Sequence, residues 1–199
     1  MMTLIIGGAR SGKSDLAQRL AVASGRDVLF VATMQPDDDE LRARVDAHRA
    51  ARPAPWRTIE APCALTDALT RSARSSDYII IDCITLWVTN LLLHSLGDDI
   101  DDIAPHRASA ALDDAASATA RLAAWCVAFP GEIAIVTNEV GTGVVPAYPL
   151  GRIFRDALGA TNATLAASAD RVLSMTAGLV VDLTALGARP AASYAEDDR

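Results

Sequence analysis

The chain has 199 residues, 51% hydrophobic and 22% charged, with 12 glycines and 9 prolines. That suits one globular domain and excludes a disordered, collagen-like or fibrous repeat chain. Eighteen Lys plus Arg against 25 Asp plus Glu leave a net charge of −7, so nucleic acid is not an expected partner. No apolar run reaches the ~18–20 residues needed to cross a bilayer, and no basic stretch precedes the first apolar segment, so a cytoplasmic protein without a membrane span is expected.

Thr3 to Ile6 is a short apolar run ending in two glycines, and Ser14 to Ala23 then sets Leu16, Leu20 and Ala23 at helical spacing. Val28 to Ala32 reads as a buried strand. Pro36 and three aspartates then open a helix expected to run to about Ala51, with acids in its first turn. Three prolines, Pro53, Pro55 and Pro62, interrupt the next stretch and leave room for an extended piece at Trp56 to Glu60. Ala64 to Arg74 is a helix candidate, Tyr78 to Asp82 a strand, and Leu86 to Leu96 a helix. After an acidic loop at Gly97 to Asp102, Ala108 to Ala128 is a long alanine-rich helix. Ile133 to Thr137 is a strand, Asn138 to Pro149 a loop, Leu150 to about Ser168 a helix, and Arg171 to Thr176 and Leu179 to Leu183 the last strands.

Alternating strands and helices, with strand runs apolar on both faces, predict a three-layer α/β fold around a mostly parallel sheet. Residues 1–186 are expected as a single domain and 187–199 as a flexible tail. Cys63, Cys83 and Cys126 are too far apart for a CxxC pair and are expected as small core hydrophobes.

Of the 18 basic residues only Lys13 is a lysine. It sits in Gly7-Gly8-Ala9-Arg10-Ser11-Gly12-Lys13-Ser14, a P-loop pattern with a strand before it and a helix after it. Such a loop curls so that successive N–H groups face one phosphate, while the following helix presents its positive end. In that role Lys13 reaches the β/γ-phosphates and Ser14 offers its hydroxyl to Mg²⁺. Asp82 closes an apolar run at the carboxyl end of a strand, where open α/β sheets bind ligands. It can hold Mg²⁺ or orient the acceptor hydroxyl, the alternative being a cap on the next helix.

Leu41, Val45 and His48 fall on one helical face, predicted to pack inward. A lone histidine so placed is more often a packed side chain than a catalyst. Against that, its helix begins at the same sheet edge as the P-loop, Arg49 and Arg52 flank it, and a neutral imidazole is a competent nucleophile. His94 and His106 have no such company and read as structural or surface residues.

With these blocks in hand, the chain resembles the bifunctional adenosylcobinamide kinase/adenosylcobinamide-phosphate guanylyltransferase family of cobalamin biosynthesis. The matching segments are GGARSGKS at Gly7 to Ser14, ATM at Ala32 to Met34, HRAARPAPWRTIE at His48 to Glu60, DCITLWVTNLL at Asp82 to Leu92, VTNEVGTGVVP at Val136 to Pro146 and the stretch Gly151 to Asp170. The resemblance implies a RecA-like P-loop NTPase fold, a homotrimer, and two reactions. ATP or GTP phosphorylates the aminopropanol hydroxyl of adenosylcobinamide. GMP from GTP is then joined to adenosylcobinamide phosphate through a GMP-histidine intermediate, at the position matched by His48. The nucleotide-contacting positions it implies are the P-loop, Ala32, Thr33, Met34, Arg49, Ala50, Ala51, Arg52, Glu60 and Asp82, with Glu60 a candidate reader of guanine.

Three other readings compete. A monofunctional P-loop kinase would leave His48 structural. A GTP-binding switch would need an Asn-Lys-x-Asp loop, whereas the single lysine is already in the P-loop. A DNA-dependent ATPase conflicts with the acidic balance.

Overall fold

The computed structural model of the chain describes residues 1–35, 55–97, 100, 102–191 and 193. The apolar runs become strands β1 (Met2–Gly7), β2 (Val28–Ala32), β3 (Arg57–Glu60), β4 (Tyr78–Asp82), β5 (Glu132–Asn138), β6 (Arg171–Thr176) and β7 (Leu179–Asp182). They form one seven-stranded sheet in the order β3-β2-β4-β5-β1-β6-β7. Neighbours are parallel except in the β6–β7 hairpin, so the expected mostly parallel α/β architecture is present. The helices described are α1 (Lys13–Ser24), α2 (Leu65–Ser72), α3 (Ile84–Leu96), α4 (Pro105–Ala128) and α5 (Pro149–Ser168).

Side chains alternate across a strand, so each strand feeds two cores. Leu4, Ile79, Ile81, Ile133 and Ile135 pack with α2, α3, α4 and α5 on one face. Ile5, Phe30, Tyr78, Ile80, Ala134 and Val136 pack with Ala17 and Ala21 of α1 on the other. Three consecutive isoleucines, Ile79 to Ile81, are wholly buried, each stabilising the fold by roughly 1.5–3 kcal/mol relative to exposure. The same alternation carries to the strand ends. Gly7, Ala32, Asp82 and Asn138 follow Ile5, Phe30, Ile80 and Val136 by two residues and fall on the α1 face at the carboxyl edge of the sheet.

Two helices start earlier than their apolar periodicity predicts. Pro105 occupies the first turn of α4 and the Ala108 N–H reaches the Ala104 carbonyl at 3.1 Å, because proline is preorganised for a helix's opening turn. Likewise α3 begins at Ile84 with Cys83 as its N-cap, the strand passing into the helix with no intervening loop. The cysteine expectation needs correction at one position: Cys126 is buried and half-buried Cys83 packs against the α1-side core, but Cys63 is half-buried outside both cores, where β3 gives way to α2. His94 and His106 are exposed, as expected.

Candidate active site

The P-loop leaves β1 at Gly7 and enters α1 at Lys13. Each constrained position has its own cause. A Cβ at Gly7 would collide with the carbonyl oxygen of Met175 in β6, so glycine is required there by the neighbouring strand. At Gly12, the α1 N-cap, φ is +93°, a left-handed conformation that glycine adopts without strain. Arg10 is also left-handed, with φ +56°, and Gly8, Ala9 and Arg10 face solvent.

Lys13 folds back across this loop. Its Nζ donates to the Gly8 carbonyl at 2.6 Å and to Ser11 Oγ at 3.4 Å, and both Lys13 and Ser11 are buried. Burial pulls the Lys13 ammonium below its ordinary 10.5, offset by the nearby Cys83 thiol and then the Asp82 carboxylate. Lysine, loop and Asp82 therefore share one electrostatic neighbourhood. Desolvation is also the leading cause that raises the Cys83 thiol, followed by the Asp82 charge.

The end of β4 is held by residues from other elements. Thr33, wholly buried, donates from Oγ1 to the Cys83 carbonyl at 2.7 Å and accepts the Cys83 N–H at 2.9 Å, while its own N–H reaches the Asp82 carbonyl at 3.3 Å. Asn90 of α3 donates to the Thr33 carbonyl at 2.8 Å and to the Pro62 carbonyl at 3.0 Å, binding the ends of β2 and β3 to the same helix. The Thr33 side chain thus fixes the backbone beside Asp82. A Thr33→Val protein, similar in shape, leaves the Cys83 N–H unpaired, while the Cys83 carbonyl keeps the Trp87 N–H at 3.2 Å. It is expected to lose about 1–3 kcal/mol in urea denaturation, with Thr33→Ser recovering most of it.

Of the sequence-predicted residues, the structure brings Gly7 to Ser14, Ala32, Thr33, Met34 and Asp82 to one edge. Glu60 lies exposed at the end of β3, two strands from Asp82 and roughly 10 Å away by strand spacing. The helix expected from Pro36 to Ala51, with His48, Arg49, Ala50, Ala51 and Arg52, lies outside the described residues. The N-cap position of α3 is taken by Cys83, one residue after Asp82.

Residues 3–183 match the family model described as cobinamide kinase / cobinamide phosphate guanyltransferase. The chain belongs to that family. It is 42% identical over 183 residues to the bifunctional adenosylcobalamin biosynthesis protein CobP of Pseudomonas aeruginosa, covering 92% of this chain and 97% of the relative. Against the bifunctional adenosylcobalamin biosynthesis protein CobU of Salmonella typhimurium it is 41% identical over 184 residues, covering 92% and 99%. The corresponding protein of Escherichia coli is 39% identical over 184 residues, with the same coverage. A solved structure from Pyrococcus horikoshii OT3 superposes with a TM-score of 0.54 at 8% identity, covering 92% of this chain and 85% of that one, a likeness of fold alone. Membership in the cobinamide kinase / guanyltransferase family makes the chain a nucleotide-using transferase of cobalamin biosynthesis, and the readings as a GTP switch and a DNA-dependent ATPase fall away.

Sequence reasoning missed Asn90, Thr85 and Asn162 as parts of this edge. The available signal was a polar residue inside an apolar helical run, as in WVTNLLL at Trp87 to Leu93.

Proposed function

We propose that the chain phosphorylates the aminopropanol hydroxyl of adenosylcobinamide from ATP or GTP, then joins GMP from GTP to the resulting phosphate, giving adenosylcobinamide-GDP. The observation that carries the reading is the Lys13 ammonium folded over the P-loop beside Asp82 in a chain that matches the family over residues 3–183.

In the kinase step the substrate hydroxyl oxygen attacks the γ-phosphorus, the bond to the departing nucleoside diphosphate breaks, and Asp82 orients the hydroxyl or takes its proton. The loop amides and Lys13 hold the β- and γ-phosphate oxygens in line for that attack. Among the described residues no group of three or more His, Cys, Asp or Glu could cage a metal. Ser14 and Asp82 instead offer two oxygen donors on the phosphate face, the sparse set that suits Mg²⁺ shared with phosphates and water. Bound there, Mg²⁺ supplies charge neutralisation across the phosphate oxygens.

In the second step an imidazole nitrogen of His48 attacks the α-phosphorus of GTP, forming a P–N bond as the bond to pyrophosphate breaks. A phosphate oxygen of adenosylcobinamide phosphate then attacks the same phosphorus and the P–N bond breaks, restoring the imidazole. Ala32, Thr33, Met34, Arg49, Ala50, Ala51, Arg52 and Glu60 are the nucleotide contacts in this reading, with Glu60 on guanine. A homotrimer acting in the cytoplasm completes it. Among the described residues no helix is long and apolar enough to cross a membrane.

Incubation with GTP labelled on the α-phosphate tests the reading. Acid-labile, base-stable label is expected on the protein, discharged by adenosylcobinamide phosphate and lost in His48→Ala. Kinase activity without any such label would leave a monofunctional kinase.

A further inference from the structure

We propose that Asn138 is a further catalytic residue of the kinase step, its side-chain amide donating a hydrogen bond to the phosphoryl group in transfer. The inference rests on the proposed phosphoryl transfer at the P-loop and adds to it a residue outside the nucleotide-contacting set.

Three placements converge on this residue. First, β5 lies between the strand that delivers the P-loop and the strand that delivers Asp82. Asn138 pairs in register with Gly7, the first P-loop residue, while Asp82 pairs with Val136 on the other side of the same strand. Second, alternation along β5 puts Asn138 on the face of Ala134 and Val136, which is the α1 face shared by Gly7 and Asp82. It is half-buried at the lip of the sheet.

Third, its backbone is clamped from both sides. The Asn138 N–H donates to Thr85 Oγ1 of α3 at 2.9 Å, and its carbonyl accepts Asn162 Nδ2 of α5 at 3.0 Å. Asn162 is itself held, its Oδ1 accepting the hydroxyl of wholly buried Thr137 at 2.7 Å. The next residue, Glu139, donates its N–H to the Gly7 carbonyl at 3.2 Å. Buried polar groups must be fully paired to be tolerated, and a paired network holds one backbone geometry. Here the network fixes the one strand end that stands between loop and carboxylate.

A carboxamide suits that place. It is a neutral donor of two N–H groups that does not titrate, carried on the strand between those that deliver the P-loop and the carboxylate. Charge spreads over the equatorial oxygens of the transferring phosphoryl, so a preorganised donor there acts on the transition state more than on bound nucleotide.

Asn138→Ala and Asn138→Asp in the full-length protein test this, with kinase kcat and KM, ATP affinity by calorimetry and α-label capture from GTP measured side by side. Both variants are expected to lose about 10²-fold or more in kinase kcat. ATP affinity in Asn138→Ala should stay within about threefold, since the bond is made chiefly in the transition state. Capture of the α-label should likewise stay within about threefold, because the α-phosphorus is not the group contacted. Asn138→Asp keeps size and backbone, so it decides the matter should Asn138→Ala not fold. Wild-type kcat in Asn138→Asp, or a raised KM with unchanged kcat in Asn138→Ala, overturns the proposal. Absence of kinase activity in the parent protein would sink the underlying reading instead.

Discussion

Lys13→Ala is expected to lose about 10²–10³-fold in kinase kcat/KM, the cost of deleting one preorganised donor to a developing anion. The same substitution should impair α-label capture, because both reactions draw on a triphosphate seated in one loop. Stability should move the other way or not at all. The ammonium is buried against a carbonyl and a hydroxyl, and burial opposes its charge. Removing it relieves that desolvation while losing one short hydrogen bond and one long one, so the urea midpoint should hold or rise. Steady-state kinetics together with a denaturation curve check both halves. Activity within tenfold of the parent would show that Lys13 serves only to brace the ligand-free loop.

Asp77→Ala is expected to destabilise the protein by about 3 kcal/mol. Asp77 precedes β4 and is wholly buried. Its Oδ2 accepts the Arg74 N–H at 2.7 Å and an Arg57 guanidinium N–H, and Arg57 also donates to the Ser72 carbonyl at 3.0 Å. The Asp77 carbonyl accepts the Glu132 N–H at 3.3 Å, so this residue joins the start of β4 to β3, to the end of α2 and to β5. Its Oδ1 makes no hydrogen bond among the described residues, which holds the net gain below that of a fully paired carboxylate. Arg57 is about one-third exposed and finds water when its partner is deleted, which keeps the loss near the lower end for a broken buried pair. Asp77→Asn keeps an oxygen for the Arg74 N–H and should cost less. Urea denaturation with an unchanged m-value reads the effect. Asp77 and Asp82 sit at opposite ends of one strand, roughly 16 Å apart, so kinase kcat in the folded fraction should be unaltered. A variant as stable as the parent would mean that the pair contributes nothing net.

What the sequence disclosed and what it withheld divide by the range of the interaction. The strand Tyr78 to Asp82 was legible because continuous apolarity ending in an acid is a local pattern, and β4 has those bounds. The P-loop was legible for the same reason, since its curl depends on eight consecutive residues. The cause assigned to Gly7 was incomplete. Phosphate approach alone does not demand that glycine; the Met175 carbonyl in β6, far along the chain, does. Thr33 read as a nucleotide contact, and no local pattern signalled that its hydroxyl also braces Cys83, 50 positions away. Asn90 and Asn162 carried no signal beyond being polar in apolar helices, because their partners lie 57 and 24 positions off. The same holds for Asp77, whose partner Arg57 is on another strand.

The placement of β1 also bears on how the protein is made. Residues 2–7 are synthesised well before their two sheet neighbours, 133–138 and 171–175. A nascent chain therefore carries this ribbon without its sheet neighbours for more than a hundred residues, and its long-range pairings close late and slowly. The strand that packs against Gly7 is complete only once Met175 has emerged. Products that stop short of β6 would leave that edge of β1 unpaired, a template that invites aggregation.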